Sequence, residues 1–318
     1  MKYLRLKTTD PYYNLAVEEY LFRYSDEDIF MLWQNAPSVI IGKNQNVYAE
    51  VNTEYAAENG IYVVRRITGG GAVYHDMGNL NYTFITSAER ADALDFARFT
   101  APIIAALSEL GLSASLSGRN DIICEGRKIS GNAHFSDGSR TLHHGTLLFD
   151  ADLEEMSAVL RTDIDKLKMR AIKSHKGRVA NIRQLLRSDL TVEDFILHIE
   201  RQISLSSSLL IPNDCQILSE LCSRNRSEAW IYSHKPFLRE YTIRKSTRFD
   251  FGTVTLELSL NGDTVDHAVI SGDFFEVSPV SELEALMVGR RLSELGLIDP
   301  SPYIGGMTVR DLFSLLNS

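Results

Sequence analysis

Arg65-Arg66-Ile67-Thr68-Gly69-Gly70-Gly71-Ala72-Val73-Tyr74-His75-Asp76 is the stretch from which the rest of the chain is best read. Three consecutive glycines carry no Cβ, so the N–H groups of this turn can approach a ligand closely. Two arginines upstream and a histidine downstream add charge and donors, which suits an acid or a phosphate better than a neutral apolar ligand. A glycine-rich turn taken alone is a weak signal, because many such turns are only turns. The flanks place this one between strands. Ile61 to Ile67 reads as the strand that delivers the two arginines. Leu80, Tyr82 and Phe84 then alternate with Asn79, Asn81 and Thr83, a half-buried strand with one polar face.

Working outward, Asp10-Pro11 reads as an N-cap and first helical residue. Tyr13, Val17, Tyr20, Leu21 and Tyr24 follow at helical spacing. Ile29 to Trp33 and Ser38 to Gly42 are expected strands around the Asn35-Ala36-Pro37 turn. Phe96, Phe99, Ile103, Leu107 and Leu110 make a helical stripe that stops at Gly111. Asp121 to Cys124 and Lys128 to Phe135 form a hairpin turned at Glu125-Gly126, and Thr141 to Phe149 is a further strand. Helices are expected at Leu153 to Leu160 and Val192 to Ile203, the second opened by a Thr191/Asp194 capping box. Near Arg248 the character changes. Val254 to Leu260 and Thr264 to Ile270 flank Asn261-Gly262, expected to be a type I′ hairpin turn. A helix from Glu282 to Leu295 and a last one capped by Thr308 and Asp311 complete a small α+β unit. The expected division is therefore 1–247, a large mixed α/β domain, and 248–318, an accessory domain.

Composition bounds the function. With 318 residues, 44% of them hydrophobic and 24% charged, the chain is of ordinary globular type. A net charge of −9 argues against nonspecific binding to nucleic acid or an anionic membrane. No apolar run is long enough to span a bilayer, and Met1 to Lys7 lacks the apolar stretch of a signal peptide. Cys124, Cys215 and Cys222 show no metal-binding spacing, so the expected setting is a reducing cytoplasm.

Four polar clusters carry the candidate chemistry. The glycine loop continues into Asp76-Met77-Gly78-Asn79. The others are Ser117 to Asp121, Gly126 to Ala133, and Leu142 to Asp150. Lys128 stands out, because the small residues Ser130, Gly131 and Ala133 leave room for a ligand beside its ammonium. A lysine held there can bridge a carboxylate and a phosphate that otherwise repel; read blandly, it is a surface lysine after a Glu-Gly turn. Asp121, with Asn120 assisting, offers hard oxygens to magnesium, or else an Asx-turn contact. His75, His143 and His144 lack the companions that would complete a zinc site. Cys124 is the one candidate nucleophile by position, but its flanking isoleucines favour an inert core thiol. Lys173, Lys176, Arg178 and Arg183 form a basic stretch.

Taken together, Arg65 to Asn79, Ser117 to Asp121, Lys128-Ile129-Ser130-Gly131-Asn132-Ala133, His144-Gly145-Thr146-Leu147-Leu148 and Arg178-Val179-Ala180-Asn181-Ile182 resemble the segments of the lipoate–protein ligase A family, in order and at about its spacing. The family lies in the biotin/lipoate ligase superfamily. The resemblance implies a catalytic domain of β-sheets flanked by helices with a C-terminal α+β accessory domain. It also implies a two-step reaction. Lipoate and Mg-ATP give lipoyl-AMP and diphosphate, and the acyl group then passes to a lysine of a lipoyl domain. Carried over, Lys128 contacts the lipoate carboxyl and the α-phosphate. Arg66, Thr68, Gly69, Gly70, Gly71, Ala72, Val73, Tyr74, His75, Asn79, Asn120, Asp121, Gly131 and Ala133 surround ATP or the adenylate, with Asp121 as magnesium ligand. Arg66, Gly70, Gly71, His75, Lys128, His144 and Gly145 surround lipoate, whose acyl end is expected in an apolar tunnel near Trp33 and His75. The implied acceptors are the glycine cleavage H protein and 2-oxoacid dehydrogenase E2 subunits. The basic stretch is expected to face them, and the chain is expected to be monomeric. Two other readings stay open: an ATP-independent octanoyl or lipoyl transferase of the same fold, and a non-catalytic binder of lipoyl domains.

Overall fold

The computed structural model describes residues 1–88, 95–161, 179–203, 215–233 and 241–318. In chain order the elements are β1 (Lys2–Arg5), α1 (Pro11–Tyr24), β2 (Ile29–Trp33), β3 (Ser38–Ile41), α2 (Val47–Glu50), α3 (Thr53–Glu58), β4 (Tyr62–Arg65), β5 (Val73–His75), β6 (Asn79–Ser87), α4 (Phe96–Glu109), β7 (Ala114–Ser117), β8 (Asp121–Cys124), β9 (Arg127–Ser136) and β10 (Arg140–Leu148). After them come α5 (Leu153–Val159), α6 (Val192–Gln202), α7 (Gln216–Arg226), α8 (Glu228–Ile231), β11 (Ile243–Phe249), β12 (Gly252–Asn261), β13 (Thr264–Gly272), α9 (Val280–Met287) and α10 (Val309–Leu316). Two compact units result. The first is Met1–Ile40, Val51–Val64 and Val73–Ile231; the second is Ile41–Glu50, Arg65–Ala72 and Tyr232–Ser318.

The first unit is built on a seven-stranded sheet of order β1-β2-β6-β10-β9-β8-β7, with a three-stranded sheet β4-β3-β5 beside it. β1 and β2 are parallel; the β2–β6, β6–β10, β10–β9, β9–β8 and β8–β7 pairings are antiparallel. The aromatic alternation of β6 places Tyr82 and Phe84 in one core with Phe30, Phe99, Ile103 and Phe195. α1 begins where Asp10 accepts hydrogen bonds from the Tyr12 and Tyr13 amides, with Pro11 at its first position. α4 ends in a Schellman turn: Gly111 has φ 79, and the amides of Leu112 and Gly111 bond back to the carbonyls of Leu107 and Ser108.

In the second unit, β11, β12 and β13 form an antiparallel sheet. Leu256, Leu258 and Ile270 pack there with Leu283, Met287, Leu312 and Leu315. Two expectations are corrected here. The β12–β13 turn is Gly262-Asp263, since Asn261 pairs with Thr264, and of its two central residues only Gly262 has positive φ, at 66. A type I′ turn needs both left-handed; glycine first followed by negative φ is the type II′ pattern. The long helix from Glu282 also stops early, at Met287, because Val288 is extended and Gly289 turns left-handed to bond Val265; a 3₁₀ segment, Leu292–Leu297, follows.

Several elements carry no sequence signal strong enough to find them. α7 is one. Its contacts with α1 are polar, with Arg224 on Glu19, Arg226 on Asp10 and Asn225 Nδ2 donating to the Tyr12 carbonyl at 3.1 Å. Its apolar stripe is short, buried Leu218 with partly buried Leu221 and Cys222, and gives way to Asn225 on the same face, too little for periodicity to single out. β1 is a second: four residues with no turn signal before them, placed by pairing with β2. No described helix is long and apolar enough to cross a membrane.

Candidate active site

Lys128 owes its aim to the β8–β9 hairpin. Glu125 and Gly126 have φ 51 and 73, so both central residues of the turn are left-handed; this is the type I′ arrangement that suits a two-residue hairpin. Ile122 pairs with Ser130 while Ile123 pairs with Lys128, which leaves Ile129 as an extra residue, fully buried. Such a bulge turns the adjoining side chains relative to the regular pleat. The Lys128 stem then runs along β9 over Gly131, where a Cβ would lie 3.0 Å from Nζ. The ammonium ends 2.7 Å from Asp121 Oδ1, with both side chains about one-third exposed, at 36% and 37%. The Lys128 carbonyl accepts from the Ala180 amide at 2.9 Å, so the Val179-Ala180 segment lies beside it.

Asn120, Asp121, Lys128, Gly131 and Ala133 are thus brought together on β8, β9 and the turn before them. His144 and Gly145 lie on the neighbouring β10, opposite Ala133 and Asn132. His144 Nδ1 faces both oxygens of Glu18, at 2.9 and 3.0 Å. Glu18 Oε1 also accepts from Thr83 Oγ1 at 2.6 Å, and Thr83 in turn accepts from Trp33 Nε1 at 3.0 Å. An accepting carboxylate requires the hydrogen to be on His144 Nδ1. Trp33 meets the His75 ring edge-on, with centroids 6.0 Å apart. His75 Nδ1 is in hydrogen-bond contact with Asn35 Nδ2 at 3.0 Å. Asn79 Nδ2 donates to Asn81 Oδ1 at 2.9 Å. Glu18 and Thr83 escaped the sequence reading. Their signal was faint: an acid among the apolar positions of α1, and a hydroxyl on the polar face of β6.

Tyr74 is buried, and burial raises its phenol above the ordinary range, with Asp76 adding to the shift. Asp76 has a structural task. Its carboxylate accepts from the Gly78 amide at 2.8 Å and the Asp152 amide at 2.7 Å, closing the turn into β6. Burial raises its pKa and those backbone bonds oppose the shift. Asn181 is likewise structural, exchanging hydrogen bonds of 3.0 and 2.8 Å with the Ala151 backbone. Of the expected basic stretch, Lys173, Lys176 and Arg178 lie outside the described residues. Arg183 is bound by Asp150 and Asp189, at 2.7 and 3.0 Å, so its charge is largely compensated. A cavity of about 300 Å³ opens in this unit between Arg5, Lys7, Gln34, Met77 and Ile196, and of the site residues named above Trp33 lines it.

Arg66, Thr68, Gly69, Gly70, Gly71 and Ala72 fall in the second unit, while Val73, Tyr74 and His75 fall in the first. The two arginines do different things. Arg65 is 1% exposed and its Nη1 donates to the carbonyls of Gly42, Lys43 and Gln45 at 2.9, 2.8 and 2.8 Å. Burial, followed by the charge of Arg66, pushes its guanidinium down to about 9. Arg66 shapes the loop itself: Nε donates to Thr68 Oγ1 at 2.9 Å, and Nη2 to the carbonyls of Gly69 and Gly71 at 2.7 and 2.8 Å. The three glycines also differ. A Cβ on Gly69 would lie 2.4 Å from the Phe274 carbonyl oxygen; Gly70 is left-handed at φ 88; a Cβ on Gly71 would meet nothing within 4 Å. Packing therefore demands glycine at the first two positions, and open space remains at the third. The Gly70 amide donates to Phe274 O at 3.2 Å, so it is engaged within its own unit.

Comparison with known proteins bears on the family and the fold. Residues 10–204 match the lipoyl protein ligase A/B catalytic domain, and residues 239–316 match the bacterial lipoate protein ligase C-terminus. The chain is 39% identical over 323 residues to the lipoate–protein ligase LplJ of Bacillus subtilis, covering 96% of this chain and 97% of that one. It is 41% identical over 288 residues to lipoate–protein ligase 1 of Staphylococcus aureus, covering 88% and 87%. Its fold is shared with P. falciparum LipL1, solved in complex with lipoate, at TM-score 0.79, 22% identity and 93% coverage of both chains. A bipartite lipoate protein ligase of Thermoplasma acidophilum, studied with its E2 lipoyl domain, superposes at TM-score 0.64 with 29% identity, covering 76% of this chain and 98% of that one. A lipoate–protein ligase A bound with ATP does so at 0.62 and 28%, covering 73% and 98%. With matched segments over both halves of the sequence and full-length relatives at this identity, the chain belongs to the lipoate–protein ligase family.

Proposed function

We propose that the protein joins lipoate to a lysine of lipoyl-domain proteins in two steps driven by ATP. A lipoate carboxylate oxygen attacks the α-phosphorus, diphosphate leaves, and lipoyl-AMP forms. The acceptor amine then attacks the acyl carbon, AMP leaves, and an amide results. Adenylation is needed because a carboxylate is a poor electrophile and AMP a good leaving group.

The observation that carries this reading is Lys128, whose ammonium is laid over the bare backbone of Gly131 and held against Asp121. A cation fixed there can sit between the acid and the α-phosphate, lowering their repulsion as the new P–O bond forms. Lys128 is the catalytic residue in this proposal. Arg66, Thr68, Gly69, Gly70, Gly71, Ala72, Val73, Tyr74, His75, Asn79, Asn120, Asp121, Gly131 and Ala133 contact ATP or the adenylate. Lipoate adds His144 and Gly145 to Arg66, Gly70, Gly71, His75 and Lys128. Magnesium bound chiefly through phosphates needs only one or two carboxylates. Asp121, a hard donor about one-third exposed, suits that role, and the ion would neutralise phosphate charge. Among the described residues no cluster of three His, Cys, Asp or Glu offers a cage of its own. We assign catalysis to residues 1–247 and the accessory role to 248–318. The proposed acceptors are the glycine cleavage H protein and E2 subunits. A monomer in the cytoplasm suits the three unpaired cysteines.

The test is the intact mass of an apo lipoyl domain after incubation with the protein, lipoate, magnesium and ATP. A gain of one lipoyl group that requires ATP is expected; transfer from an acylated carrier without ATP would replace the ligase by a transferase. Cys124 bears on the same choice. It is 2% exposed, and burial, aided by Glu125, pushes its thiol up, away from the thiolate a nucleophile needs. Cys124→Ser is therefore expected to keep the ATP-dependent rate within about two-fold, with about 1 kcal/mol lost to the buried hydroxyl; a dead variant of unchanged fold would favour the transferase. Gly131→Ala is expected to do the reverse. Its methyl meets only the flexible end of Lys128, so melting should move by less than about 1 kcal/mol. Displacing the ammonium should lower lipoate-dependent ATP–pyrophosphate exchange by roughly ten-fold.

A further inference from the structure

We propose that Asn132 is a positioning residue that transmits the rigidity of a buried aromatic cage to the Lys128–Asp121 pair; this rests on the catalytic role proposed for Lys128. Asn132 is 3% exposed and every polar atom of its side chain is used. Oδ1 accepts from the Tyr82 hydroxyl and contacts His143 Nε2 at 3.2 Å. Nδ2 donates to the Asn120 carbonyl at 3.0 Å and to Ser130 Oγ at 3.3 Å. The Asn132 amide adds a second donor to that carbonyl at 2.9 Å, and Asn120 Nδ2 donates back to the Asn132 carbonyl. Asn120 and Asn132 thus exchange three hydrogen bonds, and the next residue after Asn120 is Asp121.

The far end of the chain is rigid. His143 is fully buried and stacks on Phe99 with centroids 4.9 Å apart, with Tyr82 on its other contacts at 6.2 Å. Because Asn132 Oδ1 only accepts, His143 must present Nε2–H to it, which leaves Nδ1 as the bare nitrogen. Burial, then the neighbouring His134 and His144, holds the imidazole neutral by lowering its pKa well below the ordinary value. The Asn120 carbonyl can only accept, so it is this group that requires Nδ2 to face it, and the His143 tautomer follows from that orientation. Gly145, directly opposite, leaves the space: a Cβ there would lie 2.3 Å from Asn132 Oδ1. The amide cannot flip without setting two acceptors, or two donors, against each other.

The experiment compares Asn132→Ser with Asn132→Asp. Serine is neutral and too short to reach the Asn120 carbonyl, so the chain folds while that hold is lost. Aspartate keeps the acceptor for Tyr82 and His143 but turns an oxygen toward the Asn120 carbonyl. Both are expected to lower kcat for lipoate-dependent pyrophosphate exchange roughly 10- to 100-fold, with KM changed far less. Both should also change the rate at which an amine-reactive ester labels Lys128, read by peptide mass spectrometry without any substrate. Tyr82→Phe, which leaves the Nδ2 bonds in place, should be much milder. Wild-type kcat and Lys128 labelling in the serine variant, even with a lower melting temperature, would overturn the proposal and leave Asn132 a purely structural residue. Wild-type protein without exchange activity would instead refute the ligase reading, and the labelling would still decide the positioning.

Discussion

Lys128→Ala is expected to abolish measurable lipoylation, lowering lipoate-dependent pyrophosphate exchange by about 10²- to 10³-fold in a protein that still folds. The fold should survive because little of it rests on this side chain. The ion pair with Asp121 is about one-third exposed on each side, and pairs of that kind contribute roughly 0–1 kcal/mol. The backbone bond from Ala180 does not depend on the side chain. The rate should collapse because two anions must be brought together and the neighbouring cation on β9, Arg127, is turned to Glu125 at 3.3 Å. Lys128→Arg is expected to restore little: a planar fork cannot take the place of a compact ammonium over Gly131. The measurement is exchange of labelled diphosphate into ATP, with thermal melting alongside. A variant with more than about a tenth of wild-type exchange would remove Lys128 from the chemistry.

Gly78→Ala should give the largest loss of stability for the smallest change. A methyl at Gly78 would lie 2.0 Å from the Asp150 carbonyl oxygen and 2.7 Å from the Ala151 amide nitrogen. Those are backbone atoms, which cannot rotate aside as the end of Lys128 can. The Gly78 carbonyl also accepts from the amides of Phe149 and Asp150, at 3.1 and 2.8 Å, so the turn is tied to the end of β10 on both sides. Relief requires moving the turn that carries Asp76 and Asn79. Overpacking of a tight site costs about 1–3 kcal/mol, and the lost hydrogen bonds place this variant at the upper end. Thermal melting should fall by several degrees, and exchange activity should fall with it as His75 and Asn79 shift. Unchanged melting would mean that the turn has room which the close approach denies.

How much of this was legible beforehand follows the range of the forces involved. The first helix start, the Schellman stop at Gly111, the Thr191/Asp194 and Thr308/Asp311 capping boxes and the β8–β9 hairpin were all readable, because each is settled within a few residues of chain. The site segments were readable too, as a set: their residue types and order identify the family even where single motifs are weak. Local signals failed where a neighbour in space decides. Glycine at Gly262 marked a turn but not its type, which the β12–β13 register sets. α7 has only a short apolar stripe, and Glu19 and Asp10 hold its C-terminal turn through ion pairs with Arg224 and Arg226.

The same holds at the site. The chain shows Lys128, Asp121 and three glycines. It cannot show that the bulge at Ile129 aims the lysine over Gly131, or that Gly69 is glycine for Phe274 and Gly71 has open space before it. Nor can it show that Arg66 spends its donors on its own loop, or that Glu18 and Asn132 lie beneath the residues the motifs name. Sequence alone determined the elements, the chemistry available and the family, since these depend on residue type and short-range geometry. Tertiary structure decided which donor meets which acceptor, because hydrogen bonds act over about 3 Å between residues that the chain brings together only on folding.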